Sequence, residues 1–211
     1  MFQQSTIAVF LLSALSLLLI PGPAVIYIVT RSAAQGRRAG LASVLGIELA
    51  TLVHVAAAAL GLSALLMASA LAFNVVKYAG AAYLVYLGIR LLIVHTDDSE
   101  PEKVPTHTNV QLFGKGFLVN LLNPKTAIFF YSFLPQFIDP SRGSPFLQIA
   151  MLGGIFVALA TCTDSLYALI GSRAGSYLSR SVQIQKVRRF VSGGIYIALG
   201  IGAAVSGHGK G

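Results

Sequence analysis

Charge is what this chain of 211 residues has least of: Asp, Glu, Lys and Arg together make up 10% of it, against 55% hydrophobic residues. The first charged side chain is Arg31, and between positions 39 and 76 the only one is Glu48. Apolar runs of that length exceed the roughly 20 residues that cross a bilayer. A mean hydropathy of +0.77 leaves too much apolar surface for a soluble core to hide. Cysteine is nearly missing as well. Cys162 stands alone, which excludes an internal disulfide, a CxxC redox pair and a cysteine-built metal cage, and it is expected in the core.

Catalytic and cofactor motifs are equally scarce. There is no GxxxxGK[ST] loop for ATP, and the tail "GHGKG" is too short and polar to act as one. No G-x-S-x-G elbow and no histidine–carboxylate group with metal spacing occurs, so neither a hydrolase, nor a metal site, nor a cofactor is expected.

What is present is a positive balance of +8, which raises nucleic acid as a partner. The basic residues sit at the ends of apolar segments, as membrane orientation signals do, so no nucleic-acid partner is expected. Breaking the sequence at charges, prolines and glycines predicts six spans, at 6–30, 39–66, 70–94, 114–138, 145–171 and 190–206. The loops after the first, third and fifth spans, with their flanks, carry eleven Lys or Arg, and the other connections and ends carry three, Lys77, Arg142 and Lys210. The eleven belong inside, which puts both termini outside. The first 23 residues lack the basic start and cleavage signal of a secretory peptide and read as a retained span.

One long polar connection, 95–111, divides the chain. It carries the acids Asp97, Asp98, Glu100 and Glu102, a like-charge block expected to be solvated. The resulting plan is a three-helix unit over 1–94, a cytoplasmic linker over 95–113 and a second three-helix unit over 114–211. "LLIPGPAVIY" at 18–27 lies over "LLNPKTAIFF" at 121–130, and "KYAGAAYLVYLGI" at 77–89 over "RFVSGGIYIALGI" at 189–201, in the same order. Three spans is an odd number, so the second unit enters the membrane upside down. The expected fold class is therefore all-α: a polytopic membrane protein of two inverted three-helix repeats, a plan that places sites near the midplane where interrupted helices meet.

Those interruptions are explicit. Pro21 and Pro23 have no N–H to donate and crowd the carbonyls of Leu17 and Leu19, and Pro124 does the same to Asn120. Gly22 lets the backbone leave helical angles at little cost. Freed backbone groups at membrane depth need partners. Proline suits a first helical turn, so segments starting at Pro23 and Pro124 would direct positive N-terminal ends at the midplane, toward a carboxylate. The preceding carbonyls would suit an ammonium group. A simple kink is the alternative.

Three acids or bases fall deep in the spans: Glu48, Lys125 and Asp164. Each costs about 2.5 to 3.5 kcal/mol at a helix centre on insertion scales, so each is expected to serve a purpose. Glu48 is the first candidate to carry a proton or bind an ammonium. A structural pairing of Lys125 with Glu48 or Asp164, or snorkelling of Lys125 to a surface, would be the plainer role. Asn120 and Asn123 flank the second break as polar candidates. Thr51, Thr161 and Tyr167 stand three residues from an acid and are expected to support it. His54, six residues beyond Glu48, points to another face and reads as a packing histidine.

With "IPGPAVIYIV", the basic loop "RSAAQGRRAGLASVLGIELA" leading to Glu48, and "GFLVNLLNPKTAIFFYSFLPQFI", the chain resembles the LysE/RhtB family of bacterial amino-acid exporters over residues 1–206. The resemblance implies export of amino acids or close derivatives, basic or neutral, driven by the proton gradient across a bacterial inner membrane. It also implies functional positions at Pro21, Gly22, Pro23, Glu48, Asn120, Asn123, Pro124 and Lys125, with Asp164 as the acid of the fifth span. The expected partners are an amino-acid substrate, protons and the lipid bilayer, with a homo-oligomer left open. A cation channel or ion exchanger built on Glu48 and Asp164 is the competing expectation.

Overall fold

The computed structural model describes residues 2–68 and 106–174, with isolated positions at 75, 78, 82, 85, 86, 89, 93, 197 and 201. The third and sixth predicted spans, the second repeat match and most of the polar connection lie outside the described stretches.

The described stretches are helical, with no strand among them. Helices α1 (Gln4–Leu19) and α2 (Pro23–Gln35) form a pair bent by 50°. Gly36 alone separates α2 from the long α3 (Arg37–Ala68). Helix α4 (Asn109–Leu121) is followed by α5 (Pro124–Ile128), a π-helical turn at Phe129–Phe133 and a 3₁₀ turn at Leu134–Phe137, with a bend of 49° at the break. A short 3₁₀ turn at Pro140–Arg142 leads into α6 (Pro145–Ala174). Parts of α3 and α6 are long and apolar enough to cross a membrane, and each bent pair passes the same test as one broken span. These four are the first, second, fourth and fifth spans predicted.

Helix α4 begins five residues before the predicted start of its span, because Thr108 caps it. The Thr108 hydroxyl accepts from the Gln111 N–H at 3.3 Å, and the Gln111 side chain accepts from the Thr108 N–H at 3.1 Å, a reciprocal capping box. The same end is tied to α2, since Gln35 donates to the His107 carbonyl at 2.8 Å and accepts from its N–H at 3.1 Å. Helices α3 and α4 then run in close contact. A Cβ on Gly116 would stand 2.6 Å from the Ser43 carbonyl oxygen, so only glycine permits that approach.

Two apolar clusters form the interior. One joins Phe10, Ala14 and Leu17 of α1, Val55 of α3, the aromatic run Phe129, Phe130 and Phe133, and Ile149, Leu152, Phe156 and Ala160 of α6. The other joins Ala24 and Ile28 of α2, Val44 and Ile47 of α3, and Ala168 of α6. Leucines elsewhere face outward, among them Leu12, Leu45, Leu60 and Leu122, each more than 60% exposed. An apolar exterior of this kind suits lipid rather than water. Cys162, expected in the core, lies instead on the exposed face of α6: it is two residues before buried Asp164, and 200° around the helix puts it on the opposite side.

Candidate functional site at the seam of two broken helices

The polar residues occupy the seam between the two clusters. On α3, Glu48 and Thr51 fall between Ile47 and Val55. On α6, Asp164 falls between Ala160 and Ala168, and on the first broken pair Gly22 falls between Ile20 and Ala24. The layer is buried: Glu48 is 7% exposed, Asp164 4% and Lys125 8%.

At the first break, α1 stops because Pro21 and Pro23 bring no N–H. The Leu17 carbonyl accepts instead from the Ile20 N–H at 3.1 Å. The Leu19 carbonyl, freed by Pro23, accepts from the Tyr167 hydroxyl at 3.0 Å. The Ile20 carbonyl accepts from Lys125 Nζ at 2.6 Å. Helix α2 then restarts with Pro23 in its first turn and the Gly22 carbonyl taking the first bond, from Ile26 N–H at 2.9 Å. Gly22 is also the point where Lys125 passes: a Cβ there would lie 3.1 Å from Lys125 Cδ.

The second break is satisfied from within. Asn123 caps α5, its Oδ1 accepting from the Lys125 N–H at 3.1 Å. The Asn120 carbonyl, freed by Pro124, accepts from the Asn123 N–H at 3.1 Å and from His54 Nε2 at 3.2 Å. A carbonyl only accepts, so the His54 proton sits on Nε2 and its Nδ1 takes the Tyr131 hydroxyl at 3.4 Å. The Asn120 amide is filled to capacity. It donates to the Ile47 carbonyl and to Thr51 Oγ1, both at 2.9 Å, and accepts from Asn123 Nδ2 at 3.2 Å and Thr126 Oγ1 at 2.8 Å.

These bonds redistribute the expected roles. Lys125 makes no ion pair within 4 Å with Glu48 or Asp164 and does not snorkel, since its ammonium is held inside on a backbone carbonyl, with Asp164 as an electrostatic neighbour. Asn120, Asn123 and Thr51 brace one another. Tyr167 was expected to support Asp164 but bonds the carbonyl freed by Pro23, because its long side chain reaches past its own helix. Thr161 was expected to support Asp164 as well; it is exposed and its hydroxyl turns back to the Val157 carbonyl at 2.8 Å, the usual outlet for a helical threonine. His54, read as a packing histidine, is one, and its particular use on the Asn120 carbonyl was not legible.

Glu48 is the exception. Both carboxylate oxygens are buried without a hydrogen-bond partner, although Thr51 and Asp164 stand close enough to act on it electrostatically. They border a cavity of about 30 Å³ whose walls include Gly22, Ala24, Thr51, Lys125 and Asp164. That volume holds a water molecule or two. Unsatisfied buried oxygens are costly, of order 1–3 kcal/mol or more for a charged group, and these two stand beside a cavity able to hold a water.

A polar layer enclosed between apolar clusters, in helices with apolar outer faces, defines a polytopic membrane protein with an internal polar site. A family model described as "LysE type translocator" matches residues 15–207, and the chain belongs to that family. It is 31% identical over 196 residues to an uncharacterized membrane protein of Vibrio cholerae, covering 91% of this chain and 93% of the relative. It is 29% identical over 205 residues to the homoserine/homoserine lactone efflux protein of Salmonella typhimurium, covering 94% and 96%, and 26% identical over 191 residues to the leucine efflux protein of Salmonella choleraesuis, covering 89% of each. No solved structure matches the chain.

Proposed function

We propose that this protein exports amino acids or close derivatives across a bacterial inner membrane, exchanging each for a proton. The observation that carries the reading is the pair of unpartnered Glu48 oxygens in the seam cavity, in a chain whose relatives include proteins named for efflux of homoserine and of leucine. The α-ammonium of a substrate is assigned to Glu48. Its carboxylate is assigned to Lys125 and to the first-turn N–H groups of α2, where the helix end carries partial positive charge. Asp164 offsets Lys125 and shares the proton.

Two inverted units, 1–94 and 114–211, joined by a cytoplasmic linker over 95–113 and with both termini periplasmic, would alternate access to this site. The near-equal bends of 50° and 49° at matched positions support that arrangement. Opening is required, since about 30 Å³ does not admit an amino acid. The driving force is sufficient: export of a zwitterion against a tenfold gradient costs about 1.4 kcal/mol, and one entering proton releases about 2.3 kcal/mol per 100 mV.

The test is transport in proteoliposomes with an imposed pH gradient and a labelled amino-acid panel. Saturable, gradient-dependent transport is expected, and Glu48→Gln should abolish proton coupling while leaving the protein folded. Conductance without saturation would establish a cation channel instead, and full coupling in the Gln variant would remove Glu48 from the mechanism.

A further inference from the structure

Charge is distributed unequally between the two ends of the helices. Gln35, the last residue of α2, bonds residue 107 just before α4 begins, and α3 starts two residues further on at Arg37. Helix α6 finishes at this end too, where a Cβ on Gly171 would lie 3.2 Å from Val29 Cα. Arg37, Arg38 and Arg173 are therefore gathered there, together with Lys115, whose ammonium donates to His107 Nε2 at 2.7 Å. The described residues contain three acids, none of them at that end. Glu48 and Asp164 are buried in the seam, and Asp139 stands at the other end, 2.9 Å from Arg142.

Below Arg38 the outer face of α3 is apolar. Leu41, Leu45, Leu49 and Leu52 follow it at intervals of three or four residues, and all four are exposed. They lie within about 60° of Arg38 around the helix and extend about 20 Å along it. The hydrocarbon of one leaflet is roughly 15 Å deep. Ser43 backs onto Gly116 and the Ile47 carbonyl bonds Asn120, so the opposite side of α3 packs on α4 and the leucine stripe is turned away from it. A Cβ on Gly36 would meet nothing within 4 Å, which leaves the space beside Arg37 open.

We propose that this face of α3 binds an anionic phospholipid of the surrounding membrane, with Arg37 and Arg38 taking the phosphate and the leucine stripe taking an acyl chain. Guanidinium groups match phosphate oxygens through paired hydrogen bonds. A headgroup phosphate with an acyl chain directly beneath it repeats the order of arginines and leucines along the helix, whereas a soluble anion would use the arginines and leave the stripe idle. Lys115 and Arg173 add to the field that draws an anionic headgroup to this end. The inference rests on the helices being embedded in a membrane and is independent of what the seam cavity transports.

The experiment titrates the full-length protein in detergent with phosphatidylglycerol and, separately, with phosphatidylcholine, and reads bound lipid by native mass spectrometry. One cation at a membrane surface contributes about fivefold in affinity, the equivalent of about 1 kcal/mol. The wild type should therefore prefer phosphatidylglycerol by at least about 20-fold, and R37Q/R38Q should bind it about 20-fold more weakly with phosphatidylcholine unchanged. Both arginines are exposed, so that variant should melt as the wild type does. R142Q/K210Q, which removes the same charge elsewhere, should change the preference by less than about twofold, and glycerol phosphate in large excess should displace no lipid. Equal binding of the two lipids, or a preference that survives in R37Q/R38Q, would overturn the site. An equal loss in R142Q/K210Q would reduce it to net charge, and displacement by glycerol phosphate would make it a soluble-anion site. A preference absent from the wild type that appears when Asp97, Asp98, Glu100 and Glu102 are replaced by their amides would give the arginines to that acidic run instead of lipid.

Discussion

The two breaks bend their helices by 50° and 49°, yet their freed backbone groups are satisfied in opposite ways. The second is closed by Asn120, Asn123 and Thr126 of its own segment, with His54, Thr51 and the Ile47 carbonyl of α3 completing the network. The first has no polar side chain of its own between Leu17 and Val25, and borrows Tyr167 from α6 and Lys125 from α5. The first break thus depends on α5 and α6 for its closure, and the second on its own segment and on α3.

That contrast can be attacked at four points. The largest effect is expected for Asn120→Ala, which removes four hydrogen bonds; at roughly 0.6 kcal/mol each in membrane proteins they sum to about 2.5 kcal/mol, read as lost stability in detergent unfolding. A loss under about 1 kcal/mol would deny Asn120 its role in bracing the second break against α3. Lys125→Met leaves the buried Ile20 carbonyl unpartnered and should cost about 1–2 kcal/mol. Its hydrogen-exchange signature should be local, confined to the start of α2, and a global acceleration would mean the two breaks are one rigid unit. Tyr167→Phe removes only the bond to the Leu19 carbonyl and should cost about 0.6 kcal/mol in the same unfolding measurement. The smallest effect is expected at Gly22→Ala, within about 0.5 kcal/mol, since the new methyl would meet the flexible Lys125 stem at 3.1 Å while the substitution stiffens the unfolded chain by a comparable amount. A larger loss would show the first break to be packed as tightly as the second.

Much of this was legible in the sequence, and for a physical reason. Prolines delete hydrogen bonds wherever they stand, so the breaks at Pro21, Pro23 and Pro124 followed from residue type alone. Charges in an apolar run are costly wherever they stand, so Glu48, Lys125 and Asp164 could be expected to converge. What stayed hidden was partner choice. A spacing of three residues says that Thr161 is near Asp164 along the helix, and nothing about the neighbour across the gap, which is why Tyr167 went to Leu19 and Thr161 outward, and why Thr51, beside Glu48, also holds Asn120. The bond from Lys125 to Ile20 spans 105 positions, and no local pattern encodes it. The π-helical turn at Phe129–Phe133 was likewise invisible, since it is set by how three phenylalanines pack against α1 and α6.

The single residue between α2 and α3 limits how the molecule can flex. From Gln35 to Arg37 the chain spans at most about 7 Å, and the nearby Gln35 side chain is also tied to residue 107. The far end of α2 is therefore leashed to α3 and to the start of α4, whichever way the cavity opens. The opposite end of α2, at Pro21, Gly22 and Pro23, has no such leash in sequence, so α2 is tied at one end by a single residue and at the other by the borrowed bonds of the first break.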